Sequence, residues 1–181
     1  MKGANAEKIY APQAADHFAA MIATSVVAMF VLTYVSSYEL SHVRWSETRF
    51  FMTFVMGSTM AVIMLGFMLG MYRSAKVNVG IVVASVIVFA LAPGLVRSQT
   101  TVQDQSYMRA MIPHHSIAIL TSERAEIEDA RVRELADEII AAQRREIQEM
   151  DWLIADIEQN GAAVTAPEAQ ARPVPDFTAG G

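Results

Sequence analysis

Between Met108 and His115 the chain reads Met-Arg-Ala-Met-Ile-Pro-His-His, setting two thioethers and two imidazoles within eight residues. On a helix turning about 100° per residue, Met108, Met111, His115, Ile119 and Ser122 fall on one stripe, with His114 at its edge. Thioether with imidazole is a soft, neutral ligand set suited to Cu(I), and imidazole also suits Cu(II). The chain has no Cys, so disulfides and thiolate sites are excluded, and soft-metal chemistry must come from Met and His. Pro113 removes a backbone donor inside the stretch. It either bends the helix, re-aiming the two His, or begins a restarted one.

A second helix supplies a matching feature. Its apolar stripe is Val132, Leu135, Ile139, Met150, Leu153 and Ile157, and the same angular count points Gln143 and Glu146 into that stripe. A carboxylate there is costly unless paired or metal-bound. Packed antiparallel, the two helices bring Gln143, Glu146 and Met150 toward the Met-His stripe. The candidate metal ligands are therefore Met108, Met111, His114, His115, Glu146 and Met150. Bland readings compete with each: Met at helical spacing fills cores, Glu146 pairs with an Arg across the helices, and Gln143 makes an interhelical hydrogen bond.

The elements that must position these residues follow from where charge is missing. No charged residue occurs in 18–38, 50–72 or 77–96, spans of 21, 23 and 20 residues. At 1.5 Å rise per residue each is long enough for a hydrocarbon core of about 30 Å. The expected class is all-α, with three transmembrane helices followed by a two-helix hairpin in water. The expected organisation is a polar lead (1–16), a three-helix membrane region (17–97), the hairpin (98–160) and a disordered tail (161–181) rich in Ala, Pro and Gly. The first apolar run is too long for a typical signal peptide and no small-x-small cleavage site follows it, so it reads as a retained anchor. Tyr34, Tyr38 and Trp45 suit the membrane interface. The second span is expected to run to Tyr72, a short loop with Arg73 and Lys76 to turn the chain back, and Pro93-Gly94 to kink or end the third.

Within the hairpin, Thr101 and Asp104 suggest a capped start for a helix over 102–127. Asp129 reads as the cap of a second helix over 131–159, and Asn160-Gly161 as its stop. From Arg97 onward there are 8 Arg and no Lys against 15 Asp and Glu, a net of -7. So acidic a region argues against a nucleic-acid partner. Lys and Arg near the spans number four on each side, so the positive-inside rule is balanced.

Met108-Arg-Ala-Met-Ile-Pro-His-His115, Ala118-Ile119, Leu135-Ala-Asp-Glu-Ile-Ile-Ala-Ala-Gln143 and Glu146-Ile-Gln-Glu-Met150 resemble the family called domain of unknown function 305, over about residues 100–157. The three spans resemble a membrane-anchored branch of it. The resemblance implies a ferritin-like helical bundle, of which this hairpin is half, and, from some members, copper binding in the bacterial periplasm through Met and His. Carried over, it points to Met108, Met111, His114, His115 and Met150. It also favours a cytoplasmic N-terminus in the inner membrane and a periplasmic hairpin. Leu120 departs from the pattern, standing where relatives often carry Met, which removes one thioether.

Two further patterns carry less. Met52, Met56, Met60, Met64 and Met68 recur every four residues, but such a row winds roughly 40° per step and lines no single seam, so flexible packing is its expected role. Glu39-Leu-Ser-His42 matches half of a di-iron motif with no second copy. Gly66 and Gly70 form a GxxxG that suggests close helix contact, and two hairpins would complete a four-helix bundle as a homodimer. The expected function is membrane-anchored metal binding, with a copper ion as the bound cofactor, in storage, buffering or delivery to a copper-handling partner. The alternative is a metal-free dimerisation or docking module. No catalysis is expected.

Overall fold

The apolar runs and the amphipathic stripes all become helix. The computed structural model describes residues 2–71 and 74–178, with side chains from residue 15 onward. Among these residues there is no strand. The described helices are α1 (Lys2–Leu32), α2 (Glu47–Met68), α3 (Ala75–Ser98), α4 (Asp104–Arg124), α5 (Ala130–Asn160) and α6 (Ala166–Ala171), with a 3-10 turn at Leu40–His42. The chain divides into two units. The first takes residues up to Thr33 and from Thr48 to Thr101, and the second Tyr34–Glu47 with everything from Val102.

The first unit holds α1, α2 and α3. Three stretches in it, Ala15–Leu32, Glu47–Met68 and Ala75–Ser98, are long and apolar enough to cross a membrane. Its buried centre is small: Phe18, Ala61 and Leu65, with Met21, Ile22, Met64 and Ile81 packed against them. Around it, Val27, Val31, Ile63, Phe67, Val83, Ile87 and Leu91 are exposed, so these helices are apolar on the outside as well. Hydroxyls within the helices bond back to their own turns, Thr24 to Ala20 O at 2.8 Å and Thr53 to Arg49 O at 2.7 Å, which satisfies them where no water is needed.

Several boundaries differ from the sequence expectation. α1 begins at Lys2, so the polar lead is continuous with the first apolar run, and it ends at Leu32 rather than near Tyr38. α2 ends at Met68; Tyr72 and Arg73 lie outside the described residues. Pro93 sits inside α3, which runs on to Ser98 and stops at Gln99 in the left-handed conformation, φ 52°. Proline removes one donor, whereas leaving the helix within so apolar a run strands several backbone groups, so continuing is cheaper.

The second unit is built on α4 and α5. Ser106 Oγ accepts from Gln103 N at 2.9 Å, moving the start of α4 two residues past the expected Thr101. α4 then runs straight through Pro113 to Arg124. Asp129 caps α5 as expected, accepting from Arg131 N at 2.9 Å, and the Arg131 guanidinium on the same carboxylate holds its carboxyl below the ordinary range. Gly161 ends α5 at φ 77°, a region open to glycine. The chain beyond it, where no order was expected, forms α6, which the Thr165 hydroxyl caps by accepting from Glu168 N at 3.4 Å.

Among the described residues, nothing packs where a Cβ on either glycine of the GxxxG pair would sit. Gly66 has open space where a Cβ would sit, and Gly70 lies beyond the end of α2. The close approach is at Gly57, which is buried and whose Cβ would fall 2.5 Å from Val26 Cγ2 of α1. Gly57→Ala is therefore expected to destabilise the first unit by about 1–3 kcal/mol through overpacking. Thermal unfolding of purified protein in mild detergent checks it. Adding Val26→Ala should recover most of the loss.

Candidate functional site

Ion pairs and hydrogen bonds at both ends fix the register of α4 on α5. Arg109 meets Glu158 at 2.5 Å, Arg144 meets Glu123 at 3.1 Å, and Arg133 donates to Ser122 O at 2.9 Å. The start of α4 thus lies beside the end of α5, and the pair is antiparallel. Between these points Met108, Ile112, Ile119, Ile147 and Met150 are buried, with Met111, Ile140, Leu153, Ile154 and Ile157 packed on them. Full burial of an Ile side chain contributes about 1.5–3 kcal/mol, so Ile112, Ile119 and Ile147 hold the seam. At the start of α5 the expected stripe fails: Val132 and Leu135 are exposed and Ala136 is buried instead.

The six expected ligands fall into separate places on this seam. His115 Nδ1 lies 2.9 Å from Met111 O and Nε2 lies 2.8 Å from Glu146 Oε2. A carbonyl only accepts, so the contact with Met111 O is one that Nδ1–H makes, and Nε2 faces the Glu146 carboxylate. That contact satisfies the carboxylate that a core-facing position would otherwise penalise. His114 is exposed, its ring centroid 6.4 Å from that of His115 with the planes at 67°. The neighbouring imidazoles diverge. Gln143 is half-buried and makes no hydrogen bond to α4 among the described residues, so the interhelical bond expected of it is not formed.

Met108 and Met150, from opposite helices, line one cavity of about 490 Å³. Tyr107, Leu153 and Ile157 share its wall, as do the carboxylate residues Asp104 and Asp156 and parts of the chain after Gly161. Met111 is half-buried against the same core. Among the described residues no group of three or more His, Asp or Glu is placed to hold a metal. The donor set that suits a soft cation is therefore the thioether pair, with the His115–Glu146 pair further along the seam.

Residues 98–176 match the family described as Domain of unknown function (DUF305). The chain is also 31% identical over 141 residues to "Uncharacterized protein L153" of Acanthamoeba polyphaga mimivirus, covering 74% of this chain and 91% of that protein. No solved structure matches.

One constellation lay outside the sequence expectations. Ser116 has no exposure to water, and its Oγ accepts from Tyr38 N at 2.6 Å and lies 3.0 Å from His42 Nδ1. Glu39 Oε2 is 3.8 Å from the other ring nitrogen. Serine, histidine and glutamate in that order match a hydrolytic triad in composition, but no substrate reaches a hydroxyl with no exposed surface. The group is a clamp between the 34–47 segment and α4. Arg44 reinforces it on Asp151 at 3.1 Å, and the Arg144 guanidinium lies 6.0 Å from the centre of the Tyr38 ring. Tyr38, expected at a membrane interface, thus packs on the α4–α5 core instead. The signal was present in the spacing: Ile112, Ser116 and Ile119 share a face, and a hydroxyl between two core isoleucines needs a partner. Ser116→Ala leaves the Tyr38 amide without its acceptor and is expected to cost about 1–3 kcal/mol in thermal or denaturant unfolding.

Proposed function

The chain belongs to the Domain of unknown function (DUF305) family, and from that premise we propose that it is a membrane-anchored metal-binding protein whose α4–α5 pair takes a soft cation, copper first, for storage, buffering or delivery. The observation that carries this reading is the convergence of Met108 and Met150 on one cavity. Neutral thioethers prefer a soft, weakly hydrated ion to a hard one. His115 lies further along the same seam and is the imidazole available once Glu146 gives up its contact. Three helices apolar on their outer faces support insertion in a bilayer, with the helix pair on the extracytoplasmic side of an inner, multi-pass membrane protein. No role in catalysis is assigned.

A second reading draws on the His115–Glu146 contact at 2.8 Å, which by itself completes a structural pair. On that reading α4 and α5 form a docking or dimerisation module that needs no metal. Exposed Val132 and Leu135 mark where a second copy would sit in a homodimer.

Titrating the purified full-length protein with Cu(I) separates the two. Met108→Leu and Met150→Leu keep the volume but remove the thioethers, and each is expected to weaken binding at least tenfold, the order seen on loss even of outer-shell partners. His115→Ala is expected to weaken it less. Equal affinity in the wild type and the Met108→Leu/Met150→Leu double variant would sink the metal reading. A loss of thermal stability in His115→Ala, with no dependence on metal, would favour the docking module.

A further inference from the structure

The chain after Gly161 runs back along α5 and is held at two points. At the first, Arg172 Nη1 lies 2.5 Å from Asp156 Oδ2, in a pair whose side chains are only 26% and 14% exposed. Arg172 Nη2 also donates to Gly161 O at 3.1 Å, while Asp156 Oδ1 accepts from Asn160 Nδ2 at 2.8 Å. At the second, Phe177 shares a cavity wall with Ile140, Ala141, Arg144 and Gln148 of α5. Five residue steps separate the two points, with Pro173 and Pro175 between them, and at ~3.1 Å per residue an extended Pro-containing segment covers about 15 Å. On α5 the distance from Asp156 to the Gln148–Arg144 turn is about 12–18 Å at 1.5 Å per residue. The lengths agree, so the segment lies along the helix as a strap.

The chain after Gly161 supplies part of the wall of the cavity that Met108 and Met150 line, through Ala162, Ala163, Ala169, Arg172 and Val174. Asp156 belongs to that wall as well, and it is the carboxylate that Arg172 neutralises. A cation entering beside two neutral thioethers needs a counter-charge. Asp104 lines the same cavity, and Asp156 adds a second carboxylate only when the guanidinium leaves.

We infer that the strap is a lid on the Met108–Met150 cavity and that Arg172 is its resident competitor, displaced when a soft monovalent cation takes its place near Asp156. The inference rests on the metal reading above for the identity of the cation, but not for the existence of the lid. Two measurements on the full-length protein distinguish them. The first is the rate at which hydrogen peroxide oxidises Met108 and Met150, followed by peptide mass spectrometry, with Met111 as the internal control. Arg172→Ala and Phe177→Ala, which free opposite ends of the strap, are expected to raise that rate roughly fivefold, as loss of one partly exposed contact allows. Arg172→Lys, which keeps the charge, should stay close to the wild type. The second is silver(I) affinity, expected to tighten several-fold in Arg172→Ala because the competitor is gone. Oxidation of the two methionines at the wild-type rate in both alanine variants would overturn the lid. Unchanged silver affinity in Arg172→Ala would overturn the competition. Faster oxidation with no silver binding by any of these proteins would leave a lid over the thioethers, and would end both the competition and the metal reading.

Discussion

Two helices packed side by side share one apolar seam, and a seam has two open edges. Everything in the second unit answers that constraint. Ile112, Ile119 and Ile147 are buried because α4 and α5 face each other, but Met108 and Met150 stay at 6% and 9% exposure only with cover from elsewhere. The 34–47 segment brings Tyr38 against the core and fixes it through Ser116, while the strap after Gly161 closes the wall beside the two methionines. The chain thus supplies from its own ends and loops much of what a second hairpin would supply in a four-helix bundle. Val132 and Leu135, in the first two turns of α5, stay exposed.

Much of the architecture was legible in the sequence because it rests on local rules. Charge-free runs gave the three apolar helices, and Asp129 and Gly161 bounded α5 where capping chemistry places them. The expectations that failed did so where distant context overrides a local rule. Pro93 with Gly94 reads as a kink or an end, yet it removes a single donor, and α3 continues because the alternative exposes more backbone. Tyr38 reads as an interface residue by type, and only its tertiary partner shows otherwise. Within the chain the close helix contact is at Gly57 rather than at Gly66.

For the candidate site, helical periodicity found the right faces but could not set heights. Met108 and His115 share a stripe, yet they lie seven residues apart, about 10 Å along the axis. Their counterparts Met150 and Glu146 are separated by one turn. The stripe is therefore read by α5 at two levels: a thioether pair near one end and an imidazole–carboxylate pair nearer the middle. Periodicity did separate His115, on the stripe, from His114 at its edge, since adjacent residues differ by about 100°, and the first meets α5 while the second is exposed. Glu146 was recognisable as anomalous on its stripe. Its partner was not, because the pairing spans 31 residues.

The clamp and the strap act on opposite sides of this arrangement, and the difference in their chemistry matters. Ser116 is completely buried and its hydroxyl is engaged by a backbone amide and a ring nitrogen, so releasing it strands polar groups in an apolar setting. Arg172 and Asp156 are partly solvated, and on release both regain water. The first contact therefore costs far more to open than the second. Since the chain passes between its two units three times, at Thr33–Tyr34, Glu47–Thr48 and Thr101–Val102, the segment gripped at Ser116 is continuous with α1 and α2. The wall formed by the strap is the one that yields, and that is the wall on which Met108 and Met150 open.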